Sequence, residues 1–554
     1  MSQIRQASVA FRTMLNEARR DPIWAITQLA FLPIRAIKAL IGGIVLLGIV
    51  GLFCWSISTG LLFVTHLENN PIANAIVVFG VTAILLAVAF RLLTNPLITH
   101  FGGLDGKTHG TARFASTKEI AALSQINSGL LIGRDVKSGK KLRYDGPGHL
   151  LTIAPTRTGK GVGTVIPNLL TANRSIICVD PKGENAKISY QTRQKFGAVY
   201  VLDPFGITDR PSAAFNPLSM LDSTGPDLAE DASTLADALV FEEPGVSVEP
   251  HWNEEAKALI AGIILYVVCH AVAGERTLTN VRSRLTSAPD TFLEMLRQMQ
   301  QSHSAHGLIA RAANRHLSKS DREAAGVLSA AQRHTHFLDS PRMASVLDRN
   351  DFSFIDLKDT PASVFLVLPP DRLSTYSRWL RLLIAQSLTD MARDLSTPTT
   401  PVLYMLDEFA ALGNLAPVER AMGLMAGYGV QLWPILQDIH QLRATYGKRA
   451  GTFLSNTALL QVFGVNDHDS ARHISDLLGQ QTIIFETKNR SLDAEETGIS
   501  YSAHHTARSL LTPDEVRNLP SHLQLLFLAG QRPVIAQKLS YYADPDLRTL
   551  LDVL

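Results

Sequence analysis

The chain has 554 residues, of which 46% are hydrophobic and only 18% charged, with 52 Lys+Arg against 50 Asp+Glu. Soluble domains carry about 25% charged residues, so part of this chain does not face water, and its length supplies several domains with ample core. A net charge of +2 argues against wrapping duplex DNA by global attraction, and three separated cysteines, Cys54, Cys178 and Cys269, argue against a disulfide framework or a thiolate metal site.

Residues 1–38 carry six basic side chains, Arg5, Arg12, Arg19, Arg20, Arg35 and Lys38, against Glu17 and Asp21. Residues 39–64 then hold no charge, nor do residues 72–90, and each run approaches the ~20 apolar residues that span a bilayer core as helix. The connection 65–71 carries only Glu68 and predicts a tight helical hairpin. Basic residues before the first span, with Arg91 after the second, place both termini in the cytoplasm and the loop outside. The first run begins too late and is too long for a cleavable signal peptide. Residues 22–37, which include Trp24, are expected to lie along the membrane surface.

Short strands are expected at 129–133 and 141–145, followed by an apolar strand at 149–154. That strand breaks into Pro155-Thr156-Arg157-Thr158-Gly159-Lys160-Gly161-Val162 and opens a helix over 160–170. Such a turn is a phosphate cradle: backbone N–H groups and a helix N-terminus face the anion, and the lysine reaches the terminal phosphates. Against G-x-x-x-x-G-K-[ST], Ala154 stands at the first glycine and Gly161 at the magnesium-binding hydroxyl, so an ordinary strand-to-helix turn is the alternative. A second feature separates the two. The apolar strand 402–406 ends in Asp407 and Glu408, and in phosphate-loop enzymes the first acid holds magnesium while the second polarises the attacking water. A buried apolar strand seldom ends in two acids without such a role. A third strand, 430–436, ends in Gln437, at the carboxyl edge where doubly wound sheets bind ligands. There it either senses the γ-phosphate and its water or caps the next helix.

Further strands at 175–179, 198–202, 363–368 and 458–464 alternate with helical stretches, which predicts a parallel α/β sheet. Two of them end in the turns Asp180-Pro181-Lys182-Gly183-Glu184 and Asp203-Pro204-Phe205-Gly206, expected to bring carboxylates and a lysine to the same edge. Lys182 and Glu184 are placed to touch nucleotide or a neighbouring subunit, although turn chemistry alone accounts for the Pro and Gly. Between about 225 and 350 only helical periods appear, predicting an all-helical insertion. Residues 301–350 hold seven Arg/Lys against four acids, and five histidines, a face that either binds substrate or is solvated surface. The pairs His303/His306 and His334/His336 lack accompanying ligands, and no metal is assigned to them. Thr512-Pro513-Asp514-Glu515 starts a helix, and strands at 523–529 and 534–539 predict a terminal hairpin.

Two N-terminal spans, His109-Gly110-Thr111-Ala112-Arg113, the Lys160 loop, Asp180-Pro181-Lys182-Gly183-Glu184, Asp407-Glu408-Phe409 and Gln437 occur in the order of a known family. The chain resembles, over nearly its whole length, the TraG-like coupling proteins of bacterial type IV secretion systems. What the resemblance implies is a RecA-like P-loop NTPase domain with an inserted all-alpha domain and an N-terminal two-helix transmembrane hairpin. It implies a cytoplasmic segment 1–38, spans 39–64 and 72–90 around a short periplasmic loop 65–71, a nucleotide-binding domain in two parts, 91–224 and 351–554, and an all-alpha substrate-recognition domain 225–350. It further implies a bacterial inner-membrane coupling ATPase, often a homo-hexamer, that uses ATP and Mg2+ to deliver relaxase-bound single-stranded DNA, protein effectors or both to the secretion channel beside its other ATPases.

On that reading Lys160, Glu408 and Gln437 are catalytic, Asp407 holds the metal, and Pro155, Thr156, Arg157, Thr158, Gly159, Lys160, Gly161 and Val162 hold the nucleotide. Relatives often have Gly-Lys-Gly, which accommodates Gly161, and Thr158 or Thr164 is available to supply a hydroxyl. The short loop 65–71 departs from the larger periplasmic segment of many relatives, leaving more of the docking to the helices. Arg420 and Arg472 are candidates for an arginine offered to an adjacent subunit, with a surface salt bridge as the alternative for each. Two rivals stand beside the ATPase: a membrane-anchored substrate-receptor scaffold with a degenerate nucleotide site, and a chromosome-segregation DNA pump, which is expected to add a DNA-reading terminal domain.

Overall fold

The computed structural model describes residues 22–65, 70–101, 110–241, 250–490 and 499–551, with scattered positions before 22. They fall into two units, Met1–Thr111 with Gln481–Ala507, and Ala112–Gln480 with Arg508–Leu554.

In the first unit, helix α1 (Pro22–Val64) is unbroken, so the stretch expected to lie along the membrane surface is the start of the same helix as the first span. Residues 34–41 are good helix formers and give no stop signal. Helix α2 (Pro71–Phe101) starts on Asn70, whose side-chain oxygen accepts the N–H groups of Ile72 and Ala73 at 2.9 and 3.3 Å, with Pro71 at the first helical position. Their apolar parts, Gly42–Val64 and Pro71–Asn95, are long enough to cross a bilayer. Glu68 in the connection lies outside the described residues. A Cβ on Gly51 would stand 3.6 Å from Leu85, and the two positions are almost equally far from the turn, as in an antiparallel hairpin. Leu52 and Phe79 expose 71% and 77% of their surface, which is unfavourable in water and free of that penalty in lipid.

Thirteen strands follow among the described residues: β1 (Leu130–Asp135), β2 (Lys141–Tyr144), β3 (His149–Ile153), β4 (Ile176–Asp180), β5 (Ala198–Leu202), β6 (Ala362–Val367), β7 (Val402–Leu406), β8 (Val430–Leu436), β9 (Thr457–Val462), β10 (Gln480–Arg490), β11 (Ile499–Ser509), β12 (Leu523–Leu528) and β13 (Val534–Gln537). β10 and β11 pair as a separate ribbon, which the sequence reading did not anticipate. The other eleven form one sheet in the order β2-β1-β13-β12-β9-β3-β8-β7-β4-β6-β5. The seven strands from β9 to β5 are parallel, and β12, β13, β1 and β2 extend them antiparallel. β3, β4, β7 and β8 are buried at every residue, the condition of strands covered on both faces and the reason they read as unbroken apolar runs. Their carboxyl ends therefore lie side by side at one edge.

Between β5 and β6 the described residues form only helices. Helix α3 (Pro250–His270) buries Ile260, Ile263 and Val267 and packs against helices α4 (Leu308–Leu317) and α5 (Asp321–Thr335). Much of the positive charge counted here is paired internally: Arg315 and Lys319 meet Glu255 at 2.6 and 2.9 Å, and Lys319 also meets Glu323 at 2.8 Å. His316 and His334 are buried. These residues hold the helices together.

A buried polar chain ties β3 sideways. Trp433 Nε1 donates to Thr152 Oγ1 at 2.9 Å, and Thr152 and Thr164 donate to Gln461 Oε1 at 2.8 and 3.2 Å. Gln461 Nε2 donates to Gln524 Oε1 at 2.7 Å, and Gln524 Nε2 to the Ile132 carbonyl at 2.8 Å. Five strands and the helix after the Lys160 loop are thus linked by satisfied groups in a low-dielectric interior, where each bond is strong and each loss costly.

At the start of β3, His149 Nδ1 accepts the Leu432 N–H at 3.0 Å and Nε2 lies 3.1 Å from the Ala421 carbonyl, so the ring is neutral. Burial lowers its pKa to about 4. The unfolded histidine titrates near 6.5, so this contribution is complete above that pH and roughly 3 kcal/mol is lost as pH falls toward 4. Thermal unfolding of His149→Gln should show a flatter pH dependence between 6.5 and 4 than the parent.

Candidate nucleotide site

The loop after β3 is built by its neighbours. The Ala154 N–H is held by the Leu436 carbonyl of β8 at 2.9 Å. The backbone then turns through φ values of +64° at Arg157 and +95° at Gly159, the second a conformation that suits glycine. Thr158 Oγ1 donates to the Pro155 carbonyl at 2.6 Å and closes the loop on itself. After Lys160 the chain forms one π turn, Gly161–Val165, then α-helix, Ile166–Thr171. A later segment crosses this turn: a Cβ on Gly163 would stand 2.7 Å from the Leu539 carbonyl, the Tyr541 N–H donates to Val162 O at 3.2 Å, and Lys538 Nζ to Thr158 O at 2.7 Å.

β7 delivers Asp407 and Glu408 to the same place. Glu408 has φ +51°, a costly conformation for a residue with a side chain, and with Arg157 it is one of two such residues lining the cavity. Lys160 Nζ donates to Glu408 Oε1 at 3.2 Å, and Gln437 Nε2 to Glu408 Oε2 at 3.1 Å. Lys160 is only 9% exposed, so this ammonium acts where charge is weakly screened. Asp407 Oδ1 accepts the Glu408 N–H at 3.0 Å. On the adjacent β4, Asp180 Oδ2 accepts the Ala186 N–H at 2.8 Å and so positions the turn bearing Lys182 and Glu184.

Burial raises the Asp180 carboxyl to about 6, backbone hydrogen bonds opposing and Asp407 adding to it. Burial raises Asp407 too, with Lys160 opposing and Glu408 adding. Two acids on neighbouring strands, Asp180 buried and Asp407 half-buried, both pushed up, form a donor set that a hard divalent cation would relieve. Magnesium characteristically takes one or two carboxylates and keeps water and phosphate oxygens for the rest. No group of three His, Cys, Asp or Glu that could hold a metal occurs among the described residues.

These groups surround a cavity of about 290 Å³. Of residues 155–162, Thr156, Arg157, Gly159, Lys160, Gly161 and Val162 line it, while Pro155 and Thr158 lie behind as the loop's closing bond. Asp407, Glu408 and Asp180 line it, and Gln437 stands one hydrogen bond behind Glu408. The hydroxyls of Thr158 and Thr164 are committed to Pro155 O and Gln461 Oε1, and neither residue lines the cavity. Asp203 does not arrive: β5 is the sheet's outer strand, and the Asp203 carboxylate caps its own turn on the N–H and hydroxyl of Thr208 at 2.7 and 2.6 Å. Arg420 and Arg472 are exposed and, among the described residues, have no ion-pair partner. Three lining residues, Asn185, Tyr541 and Ile166, escaped the sequence reading. The aromatic pair Tyr541-Tyr542 just past the last strand was the only signal for the second.

A parallel sheet with a Gly-Lys loop after one central strand, acids after a second and an amide after the strand between them defines the RecA-like phosphate-loop class. Residues 113–553 match the family described as Type IV secretory system Conjugative DNA transfer, and the chain belongs to that family. It is 28% identical over 507 residues to a conjugal transfer protein TraG of Escherichia coli, spanning 82% of this chain and 80% of the relative. It is 26% identical over 500 residues to a protein VirD4 of Rhizobium radiobacter, spanning 85% and 69%. Among solved structures it is similar to the unbound bacterial conjugative coupling protein TrwBdeltaN70, with TM-score 0.59 at 18% identity over 77% of this chain and 92% of that one. It is equally similar to the plasmid coupling protein TrwB in complex with the non-hydrolysable ATP analogue ADPNP, with TM-score 0.59 at 17% identity over 79% and 95%. These likenesses bear on the fold, a RecA-like core with an inserted helical domain.

The raised carboxyl of Asp180 generates a prediction. Its pKa lies above the 3.8 of the unfolded chain, so the folded state is penalised as pH rises past 3.8, and the penalty is complete above 6, at most roughly 3 kcal/mol. Asp180→Asn keeps an acceptor for the Ala186 N–H and should stabilise the protein by about 1–3 kcal/mol at pH 7.5 without divalent ions. Thermal unfolding with and without MgCl2 checks it, and the gain should shrink when magnesium is present.

Proposed function

We propose that this chain is a membrane-anchored coupling ATPase of a type IV secretion system, which receives relaxase-bound single-stranded DNA, protein effectors or both and passes them to the secretion channel by hydrolysing ATP. The observation that carries the proposal is the convergence of Lys160, Asp407 and Glu408 on one cavity, with Gln437 bonded behind them. Membership of a conjugative DNA transfer family supports the transport role. The similar TrwB structures hold an ATP analogue in one case and ADP with Mg2+ in another, which supports ATP and Mg2+ as cofactors here.

In this reading the backbone amides of 156–161 and the helix that follows receive the phosphates, and Lys160 neutralises the terminal ones. Asp407 is the proposed metal ligand, with Asp180 beside it; magnesium, when bound, supplies charge neutralisation at the phosphoryl oxygens. Lys160 exchanges Glu408 Oε1 for a phosphate oxygen, which frees that carboxylate oxygen to accept a proton from the attacking water. Gln437 keeps hold of Oε2 and orients the base. α1 and α2 anchor the chain in the inner membrane with both termini cytoplasmic, and residues 225–350 recognise substrate. The working assembly is a homo-hexamer in which Arg420 or Arg472 serves the adjacent subunit's site.

One observation favours the scaffold reading instead: Gly161 offers no hydroxyl, and those of Thr158 and Thr164 are engaged elsewhere. Magnesium-dependent ATP turnover by the full chain in detergent separates the two. Lys160→Ala and Glu408→Gln should each lower turnover about 100-fold or more and abolish transfer, with membrane insertion unchanged. Normal transfer by Lys160→Ala removes ATP from the mechanism, and transfer by a wild type without turnover establishes the scaffold.

A further inference from the structure

Tyr541 enters the cavity through packing that does not involve its side chain. Lys538 Nζ bonds the loop at Thr158 O, the Leu539 carbonyl sits where a side chain on Gly163 would be, and the Tyr541 N–H bonds Val162 O. The position is therefore set by backbone and by the absence of a Cβ at Gly163, and the ring is half-buried in the wall of the cavity that holds Lys160. Its acidic neighbour is Glu184, on the turn after β4, whereas Lys160 meets Glu408 on the turn after β7. Val162 and Ile166, on the first turns after the lysine, complete an apolar wall beside it. Tyr542 meets the ring at 84° with centroids 5.3 Å apart, and no aromatic ring among the described residues lies flat upon it.

A nucleoside triphosphate whose terminal phosphate lies at Lys160 extends its base away from the acids. We infer that Tyr541 is the platform on which that base stacks, an inference that rests on the nucleotide reading of this cavity. Stacking of a planar base on an aromatic face is strong and tolerant of base identity, so this wall binds adenine and guanine alike.

The test is calorimetric titration of the full chain in detergent with ATP, GTP and inorganic tripolyphosphate, each with magnesium. Tyr541→Ala should weaken ATP and GTP about tenfold and leave tripolyphosphate within about twofold. Tyr541→Phe should bind all three as the parent does. Tyr541→Leu, which keeps bulk without a π-face, should behave like the alanine variant and replaces it if that variant does not fold. Equal weakening of ATP and tripolyphosphate, or no change in ATP affinity, overturns the platform alone. A wild type that binds neither ATP nor tripolyphosphate overturns the nucleotide reading beneath it.

Discussion

One ammonium organises the centre of this molecule. Lys160 leaves a loop after β3, reaches a carboxylate after β7, and that carboxylate is held from its other side by an amide after β8. Three neighbouring strands of the sheet thus have their carboxyl ends joined through the two oxygens of Glu408. Lys160 is nearly buried while Glu408 keeps a third of its side chain exposed to the cavity, and a phosphate arriving at the loop competes directly for the lysine. Glu408 accepts an unfavourable backbone conformation to stand there, a cost tolerated where the surrounding structure over-determines it.

What keeps the lysine in place is the sheet beneath it. Fully buried parallel strands leave little freedom in register, and the chain of Trp433, Thr152, Gln461 and Gln524 removes more by requiring each polar partner to find the next. Thr164 joins that chain from the helix side, which is why its hydroxyl is lost to the cavity. The same residue thus strengthens the scaffold and withholds an oxygen from the cavity.

Much of this was legible beforehand, for physical reasons. β3, β4, β7 and β8 read as continuous apolar runs because helices cover both their faces, and Asp407 with Glu408 stood out because two acids seldom end such a run. Strand order was not legible, since pairing is decided by contacts distant in sequence. Asp180 and Asp203 sit in similar turns, and only the sheet order separates the one beside β7 from the one on the outer strand. β10 and β11 were missed because their residues mix polar and apolar types without a clean alternation. The positive face of the helical insertion was overcounted, because Glu255, far off in sequence, neutralises both Arg315 and Lys319.

The antiparallel extension has a consequence for biogenesis. β12, β13 and the crossing at Leu539 complete a loop whose lysine is translated some 380 residues earlier. The apolar helices leave the ribosome first and can enter the bilayer while the phosphate cradle still lacks one wall. On the membrane-anchored reading, nascent chains are tethered to lipid before they are competent to close that cradle, and a ribosome stalled before this point leaves an inserted product with an open one.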